Sequence, residues 1–106
     1  MPKYLFQGSY TAEGVRGVLK DGGTKRRAVA QQAIESVGGK VDAFYFAFGT
    51  NDVVTIIDAP DNVSVAAVSL AIAASGAFAG HTTVLLTPEE VDQATKKAVR
   101  YTPPGR

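Results

Sequence analysis

The stretch YFAFGTNDVVTIIDAPD, residues 45–61, decides the fold. It consists of two apolar runs on either side of a short polar turn, Gly49-Thr50-Asn51-Asp52. Gly and Asn accept unusual backbone angles, and an Asp or Asn side chain bonds nearby backbone N–H groups, which is typical of hairpin turns. The two runs therefore predict neighbouring antiparallel strands over residues 40–48 and 52–58.

Further strands are expected on both sides of this hairpin. Residues 3–10 alternate large side chains with polar or small ones, which predicts the first strand. Residues 78–86, just before a Thr-Pro pair, predict the fourth strand. The chain thus supplies four strands, enough for one sheet.

Helix start signals fill the gaps between the strands. Thr11 can cap a short helix and Thr24 a second one that ends at Gly38-Gly39. Asp61 can cap an Ala-rich helix over residues 63–75, which is apolar nearly all round and should be covered on more than one side. Thr87, followed by Pro and two acids, begins a last helix that we expect to reach about residue 100.

The order β-α-β-β-α-β with an extra C-terminal helix predicts a ferredoxin-like α+β sandwich, with helices on one face of the sheet. The length suits a single domain over residues 1–106. We expect an ordered core from about residue 3 to residue 100, and a loose tail over residues 101–106.

The hairpin strands carry large apolar residues on both faces. Regular alternation places one set of residues on one face of the second strand and another set on its other face: Val41, Ala43, Tyr45 and Ala47 against Phe44, Phe46 and Phe48. Because helices cover only one face, the other would expose more apolar surface than monomers usually show. We therefore expect a homodimer or higher homo-oligomer, assembled as a dimeric α+β barrel that buries at least ~1,000 Å².

Composition excludes several classes of function. The chain has 106 residues with 11 Lys+Arg, 10 Asp+Glu and no Cys, so there is no general attraction to nucleic acid or anionic membrane and no thiolate chemistry. The third strand, DVVTIID, lacks the aromatic residues of RNA-recognition modules. Residues 62–88 carry no charge, but Ser and Gly dilute them, which predicts a buried helix and strand and not a membrane span. No signal peptide is apparent, and we expect a cytoplasmic bacterial protein.

Five residues are candidates for ligand binding: Tyr10, Tyr45, Asn51, Asp52 and His81. Asp52 either locks the turn or orients a ligand, and the tyrosines either line a pocket or belong to a core or dimer seam. His81, the only histidine, is either a ring with one hydrogen bond or a general base. Lys25-Arg26-Arg27 either forms a solvated helix face or holds an anion. We expect no cofactor, and a single histidine predicts no metal site.

The opening strand, the helix ending in SVGGKV, residues 45–61 and the Ala-rich helix together resemble the GYD-domain family. That family consists of small bacterial proteins of about this length, with a Gly-x-Tyr-Asp turn between the second and third strands. Gly49 and Asp52 match this turn, and Asn51 stands at the tyrosine position. The resemblance implies a fold similar to dimeric α+β barrel proteins, which include heme-degrading and cofactor-free monooxygenases as well as effector-binding modules.

Three functions are compatible with the sequence. The first is a homo-oligomeric module that binds a small metabolite, with the five candidates supplying contacts. The second is a cofactor-free or heme-linked monooxygenase-like enzyme that uses His81. The third is a purely structural oligomer. Fold resemblance alone does not separate them, because one fold hosts many functions.

Overall fold

The computed structural model describes residues 1–106 and shows a four-stranded antiparallel sheet. In chain order the elements are β1 (Lys3–Tyr10), α1 (Ala12–Asp21), α2 (Gly23–Glu35), β2 (Lys40–Phe46), β3 (Val53–Asp58), α3 (Asn62–Ala74), β4 (Phe78–Leu85) and α4 (Pro88–Thr95). The strand order is β2-β3-β1-β4, with every neighbouring pair antiparallel. This confirms the predicted ferredoxin-like α+β class, in which two crossover connections flank a central hairpin.

The cross-strand register assigns each strand residue to one of two faces. Tyr4 of β1 lies opposite Ile57 of β3, and both cluster with Ile34 of α2 and Val65 of α3. We call this the covered face. Tyr4 is only 1% exposed, and its hydroxyl donates to Asn62 Oδ1 at 2.7 Å, so the one polar atom of this buried ring has a partner.

The opposite side of the sheet, which we call the open face, carries no helix. Side chains of all four strands lie there: Leu5, Gln7, Ala43, Tyr45, Val54, Ile56, His81 and Thr83. Tyr45 is 69% exposed on this face. The expectation that one apolar face lacks a helical cover is therefore met, by Ala43 and Tyr45 of β2 together with Val54 and Ile56 of β3.

A β-bulge in β2 corrects the predicted alternation. The register passes from Val41 opposite Ile57 to Ala43 opposite Ile56, which leaves Asp42 as the extra residue. Val41 consequently lies on the covered face, and its predicted place on the Tyr45 face is wrong. A bulge of this kind depends on pairing with the neighbouring strand, so the alternation of β2 alone did not reveal it.

The hairpin loop is longer than predicted. β2 ends at Phe46 and not at residue 48, and β3 begins one residue later than expected, at Val53. The Ala47 N–H donates to the Asp52 carbonyl at 2.8 Å, which closes the loop outside the regular ladder. Phe48 is fully exposed in this loop and belongs to neither face of the sheet.

The first two helices meet at Gly22, not at Thr24. The Gly22 N–H donates to Val18 O at 2.8 Å and the Gly22 carbonyl accepts from Arg26 N at 3.3 Å, so one residue ends α1 and begins α2. Its φ of 82° lies in the left-handed region that favours glycine. The predicted Thr24 cap is therefore wrong, whereas Thr11 caps α1 as expected and accepts from Gly14 N.

The third and fourth helices begin where the sequence predicted. Asp61 Oδ1 accepts from Ser64 N at 2.8 Å, and Thr87 and Glu90 form a reciprocal capping box. However, α4 ends at Thr95, about five residues earlier than expected. The Lys96 and Lys97 N–H groups bond to carbonyls three residues back, and such tighter bonds are typical of a helix end.

The chain after β4 stands away from the sandwich. The radius of gyration is 17.0 Å, whereas a compact chain of this length has about 13 Å. No residue of α4 is buried, and the apolar side chains of this segment are exposed: Leu86, Val91, Val99 and Tyr101. We call residues 86–106 the C-terminal arm.

The outer side of α3 is also uncovered. Leu70 is 71% exposed and Val63 still more so, whereas Val65 packs into the core. The expected second cover for this helix is therefore not supplied by the chain itself. None of the helices has the combination of length and apolar character that crossing a membrane requires.

Candidate functional site

A cleft separates α2 and α3 above the covered face of the sheet. α2 and α3 contact each other at only a few residues, so together they do not cover the strands that lie beneath them. Ile34 and Val65 meet at one end of the sandwich, where the core cluster lies. Elsewhere the helices leave space above the strands, and we call this space the helix cleft.

The deeper part of the helix cleft is an apolar chamber of about 130 Å³. Its floor is formed by strand residues, with Phe6, Phe44 and Phe78 as the rings. Its walls come from α2 and α3, mainly Val29, Ala33, Val68 and Ile72. Of the 17 lining residues 14 are hydrophobic, so the chamber suits an apolar group and not a hydrated one.

A shallower compartment continues the cleft toward solvent, with a volume of about 360 Å³. Small residues of α3 and of its C-cap form one wall, including Ala67, Ala71 and Ser75. Six residues border both compartments and so lie at the passage between them: Tyr10, Arg26, Ala33, Val68, Ile72 and Phe78. The Ala-rich composition of α3 thus leaves room where larger side chains would fill the cleft.

Tyr10 is the one sequence candidate that lines the helix cleft. Its ring stacks edge-on against Phe78 with centroids 5.0 Å apart. Phe78 in turn lies 5.7 Å from the Phe6 ring, so the three aromatics form a connected wall. Tyr10 therefore lines the cleft, whereas Tyr45, the other tyrosine candidate, lies on the opposite face of the sheet.

Asp52 fixes the hairpin to the first strand. Its Oδ2 accepts from the Tyr10 N–H at 3.0 Å, and its own N–H donates to the Gly8 carbonyl at 2.8 Å. The carboxylate therefore replaces a ladder bond beyond the end of β3. It does not line either compartment of the helix cleft.

The open face carries three further candidates, Tyr45, Asn51 and His81. Tyr45, Val54, Gln7 and His81 follow one another across the four strands in register. Asn51 Nδ2 donates to Gln7 Oε1 at 3.3 Å, which adds Asn51 to this row. Tyr45 and His81 stand three strand spacings apart, roughly 14 Å, so the five candidates do not converge on one small site.

His81 is exposed, and its ring makes no hydrogen bond within the chain. It lies across the sheet from the helix cleft, on the open face. No group of three or more His, Asp or Glu side chains is arranged to hold a metal ion.

A network of four charges borders the open face at the end where β1 begins. Lys3 bonds to Asp42 and, at 2.8 Å, to Asp58, and Lys40 lies within 4 Å of both acids. Hydrogen bonds with Asp42 and Asp58 raise the pKa of Lys3. The hydrogen bond from Lys3 is the main cause that lowers the pKa of Asp42. The signs of the four charges cancel, which leaves this edge polar but neutral.

Sequence reasoning missed the part of Arg26 in the cleft. The basic run Lys25-Arg26-Arg27 predicts either a solvated face or an anion site for all three residues. The structure separates them, because Arg26 borders both compartments while Lys25 and Arg27 are exposed. The spacing of residues in α2 contains this information. Val29, Ala30 and Ala33 of the apolar face follow Arg26 by three, four and seven residues, so the helical period places Arg26 on the same side of the helix.

These features define a class of protein, a small ferredoxin-like α+β sandwich with an apolar cleft between two of its helices. Within that class, the GYD domain model matches residues 4–95. The match covers most of the chain, so the chain belongs to the GYD domain family. Searches of curated proteins and of solved structures returned no significant match.

Proposed function

We propose that this protein is a homodimeric module that binds one small, largely apolar metabolite in the helix cleft of each subunit. The observation that carries this proposal is the cleft itself. A chamber lined by 14 hydrophobic residues continues into a larger, more open compartment. Binding sites for small molecules in proteins have this composition, a mostly apolar lining with a few polar groups.

The packing of the covered face supports a ligand in the cleft. Only 11 of the 106 residues are buried, and the core cluster occupies one end of the sandwich. In most proteins, by contrast, the interior is packed to the density of organic crystals. An apolar ligand between α2 and α3 would give the rings of Phe6 and Phe44 the contacts that the chain does not supply.

The open face supports the homodimer. Leu5, Val54 and Ile56 of the two central strands form its centre, Tyr45 lies beside them on β2, and the neutral charge network around Lys3 forms part of its edge. An apolar centre with a polar rim is the usual composition of a protein interface. A second copy, packed face to face at about 10 Å, would cover this surface.

A nuclear magnetic resonance titration with 1-hexanol and benzyl alcohol tests the cleft. Both probes place a six-carbon chain or one ring in the chamber and carry no charge. We expect the largest amide shifts on residues of α2, α3 and β1 that line the cleft. Ala33→Leu, which narrows the passage between compartments, should weaken binding, whereas Ala28→Leu on the exposed side of α2 should not.

Two results would contradict the cleft as a binding site. One is saturable binding with shifts confined to the open face around His81. The other is the absence of saturable binding of either probe by the folded protein. If Ala33→Leu lowers the melting temperature strongly, Ala30→Leu gives a second, less central obstruction of the same chamber.

A further inference from the structure

Arg26 is the one charged residue in the lining of the helix cleft. Three hydroxyl groups also line the deep chamber: that of Tyr10 has no partner in the chain, whereas those of Thr55 and Ser69 have one each. Thr55 Oγ1 donates to the Ala43 carbonyl at 2.7 Å, and Ser69 Oγ lies 3.4 Å from Thr82 Oγ1. Arg26 is therefore the one group of the lining that can offer a ligand a positive charge as well as hydrogen-bond donors.

The contacts of Arg26 within the chain leave most of its donors free. Its Nη1 lies 3.5 Å from Asp21 Oδ2, at the outer limit of a hydrogen bond. Lys25 approaches the other oxygen of the same carboxylate at 3.7 Å, so Asp21 divides its charge between two cations. A guanidinium has five N–H donors, and only one of them has this weak partner.

The position of Arg26 relative to the two compartments orients a ligand. The side chain is 33% exposed and borders both compartments, so its charge lies where the apolar chamber opens. An apolar cavity of about 150 Å³ stays dry and takes up a molecule such as benzene. The chamber of about 130 Å³ thus accommodates one ring or a short alkyl chain, with any charged group directed outward to Arg26.

From this geometry we propose that the ligand is a small amphipathic monocarboxylate, with its ring or short chain in the chamber and its carboxylate bound by Arg26. The inference rests on the cleft being the ligand site. A guanidinium binds a carboxylate through two parallel N–H···O bonds. One cation matches one negative charge, whereas a phosphate dianion carries two.

Matched pairs of probes test the charge separately from the cavity. Calorimetry at neutral pH compares hexanoate with 1-hexanol and benzoate with benzyl alcohol on the wild-type protein. We expect each carboxylate to bind about 10- to 100-fold more tightly than its alcohol, the range of a charge-assisted hydrogen bond. Added salt should weaken the carboxylates and leave the alcohols unchanged.

Substitutions at the adjacent residues Arg26 and Arg27 test which arginine binds the carboxylate of the probe. Arg26→Gln should lower the affinity for each carboxylate to about that for its alcohol, so that the preference for carboxylate disappears. Arg26→Lys keeps the charge but not the two-pronged geometry, and should retain part of the preference. Arg27→Gln is the control, because it removes an exposed charge from the same helix outside the cleft.

The outcomes separate this inference from the proposed function. Equal affinity for acid and alcohol, or equal effects of Arg26→Gln and Arg27→Gln, would overturn the monocarboxylate and leave the cleft as an apolar site. Failure of all four probes to bind would overturn both. Melting curves of each variant establish that a loss of binding is measured on folded protein.

Discussion

At the residue scale, Asp52 shows how one side chain serves the fold at a position that the sequence marked as a candidate site. Its carboxylate accepts from the Tyr10 N–H, and its backbone bonds to Gly8 and Ala47. These bonds hold the loop of the β2–β3 hairpin against β1. The Asp of the family turn thus has a structural explanation in this chain.

Asp52→Ala leaves the Tyr10 N–H without this acceptor. We expect the free energy of unfolding to fall by about 1–2 kcal/mol, because a partly buried donor loses its partner. Asp52→Asn retains an oxygen in the same place and should lose less. Urea unfolding measures both, with Asp92→Ala on the exposed α4 as the control. If Asp52→Asn weakened probe binding without loss of stability, Asp52 would have to be assigned to a ligand.

Asp61 makes the start of α3 sensitive to acid. Hydrogen bonds from Ser64, first from its backbone N–H and then from its hydroxyl, lower the pKa of Asp61. A carboxyl with a lowered pKa in the folded state adds stability that is complete above the unfolded value, about 3.9, and is lost as the pH falls through the folded value. The Asp61 contribution should therefore disappear on the acid side of about pH 4.

Asp61→Asn isolates this effect, because Asn also caps helices but does not titrate. We expect the melting temperature of the variant to fall less steeply than that of the wild type between about pH 5 and pH 2. Asp92→Asn, which removes an exposed carboxylate from α4, should follow the wild-type curve. Parallel curves for Asp61→Asn and the wild type would contradict a lowered pKa at this cap.

At the scale of elements, α1 is held against the turn between α3 and β4 by close backbone packing. The Thr11 N–H donates to the Ala77 carbonyl at 3.0 Å, and the Thr11 hydroxyl donates to the Gly76 carbonyl at 2.9 Å. Gly14 is buried against the same Ala77 carbonyl, where a Cβ would overlap with the oxygen. The approach of α1 to this turn therefore requires the absence of a side chain at residue 14.

Two glycines of α1 give a matched test of this packing. Gly14→Ala should lower the free energy of unfolding by about 1–3 kcal/mol, since the helix must move off Ala77. Gly17→Ala in the same helix meets no atom within 4 Å and should raise stability by about 0.5–1 kcal/mol. Thermal or urea unfolding distinguishes the two. The same sign for both variants would contradict the proposed packing.

At the scale of the whole molecule, the chain presents more apolar surface than its own fold covers. The open face, the outer side of α3 and the C-terminal arm all expose apolar side chains, among them Tyr45, Leu70 and Val99. The longest dimension is 57 Å, against 33 and 23 Å for the others, because the arm extends from the sandwich. Association of copies is the physical means by which such surfaces leave water.

Sedimentation identifies which surface associates. We expect the wild type to sediment at twice the chain mass of 11.1 kDa. Ile56→Lys, in the centre of the open face, should give monomers, because a buried unpaired charge is strongly unfavourable. Leu70→Lys on α3 is the control and should remain dimeric. Circular dichroism establishes that each variant is folded.

A different pattern would overturn the face-to-face arrangement. A monomeric wild type contradicts the homodimer altogether. Dissociation by Leu70→Lys but not by Ile56→Lys would move the interface to the outer side of α3. Either result would leave the helix cleft unaffected, since neither Ile56 nor Leu70 lines it.

The local features of this protein could be predicted from neighbouring residues. The caps at Thr11, Asp61 and Thr87 depend on side chains that reach backbone groups three residues away, and the structure confirms all three. Element order followed from the alternation of apolar and polar residues, and with it the ferredoxin-like fold class. The prediction of a cap at Thr24 is wrong for a local reason as well, because Gly22, two residues earlier, both ends α1 and begins α2.

Features that depend on distant partners needed the tertiary structure. The bulge at Asp42 exists only in the pairing of β2 with β3, and it moved Val41 to the covered face. The separation of Tyr10 from Tyr45 and His81 depends on which side of the sheet the helices occupy, and alternation defines two faces without stating which is covered. The cleft and the place of Arg26 in it depend on how far α2 and α3 diverge. The amino-acid sequence therefore determined the elements and their order, because these arise from short-range hydrogen bonding and periodicity, whereas the site arose only from contacts between residues far apart in the chain.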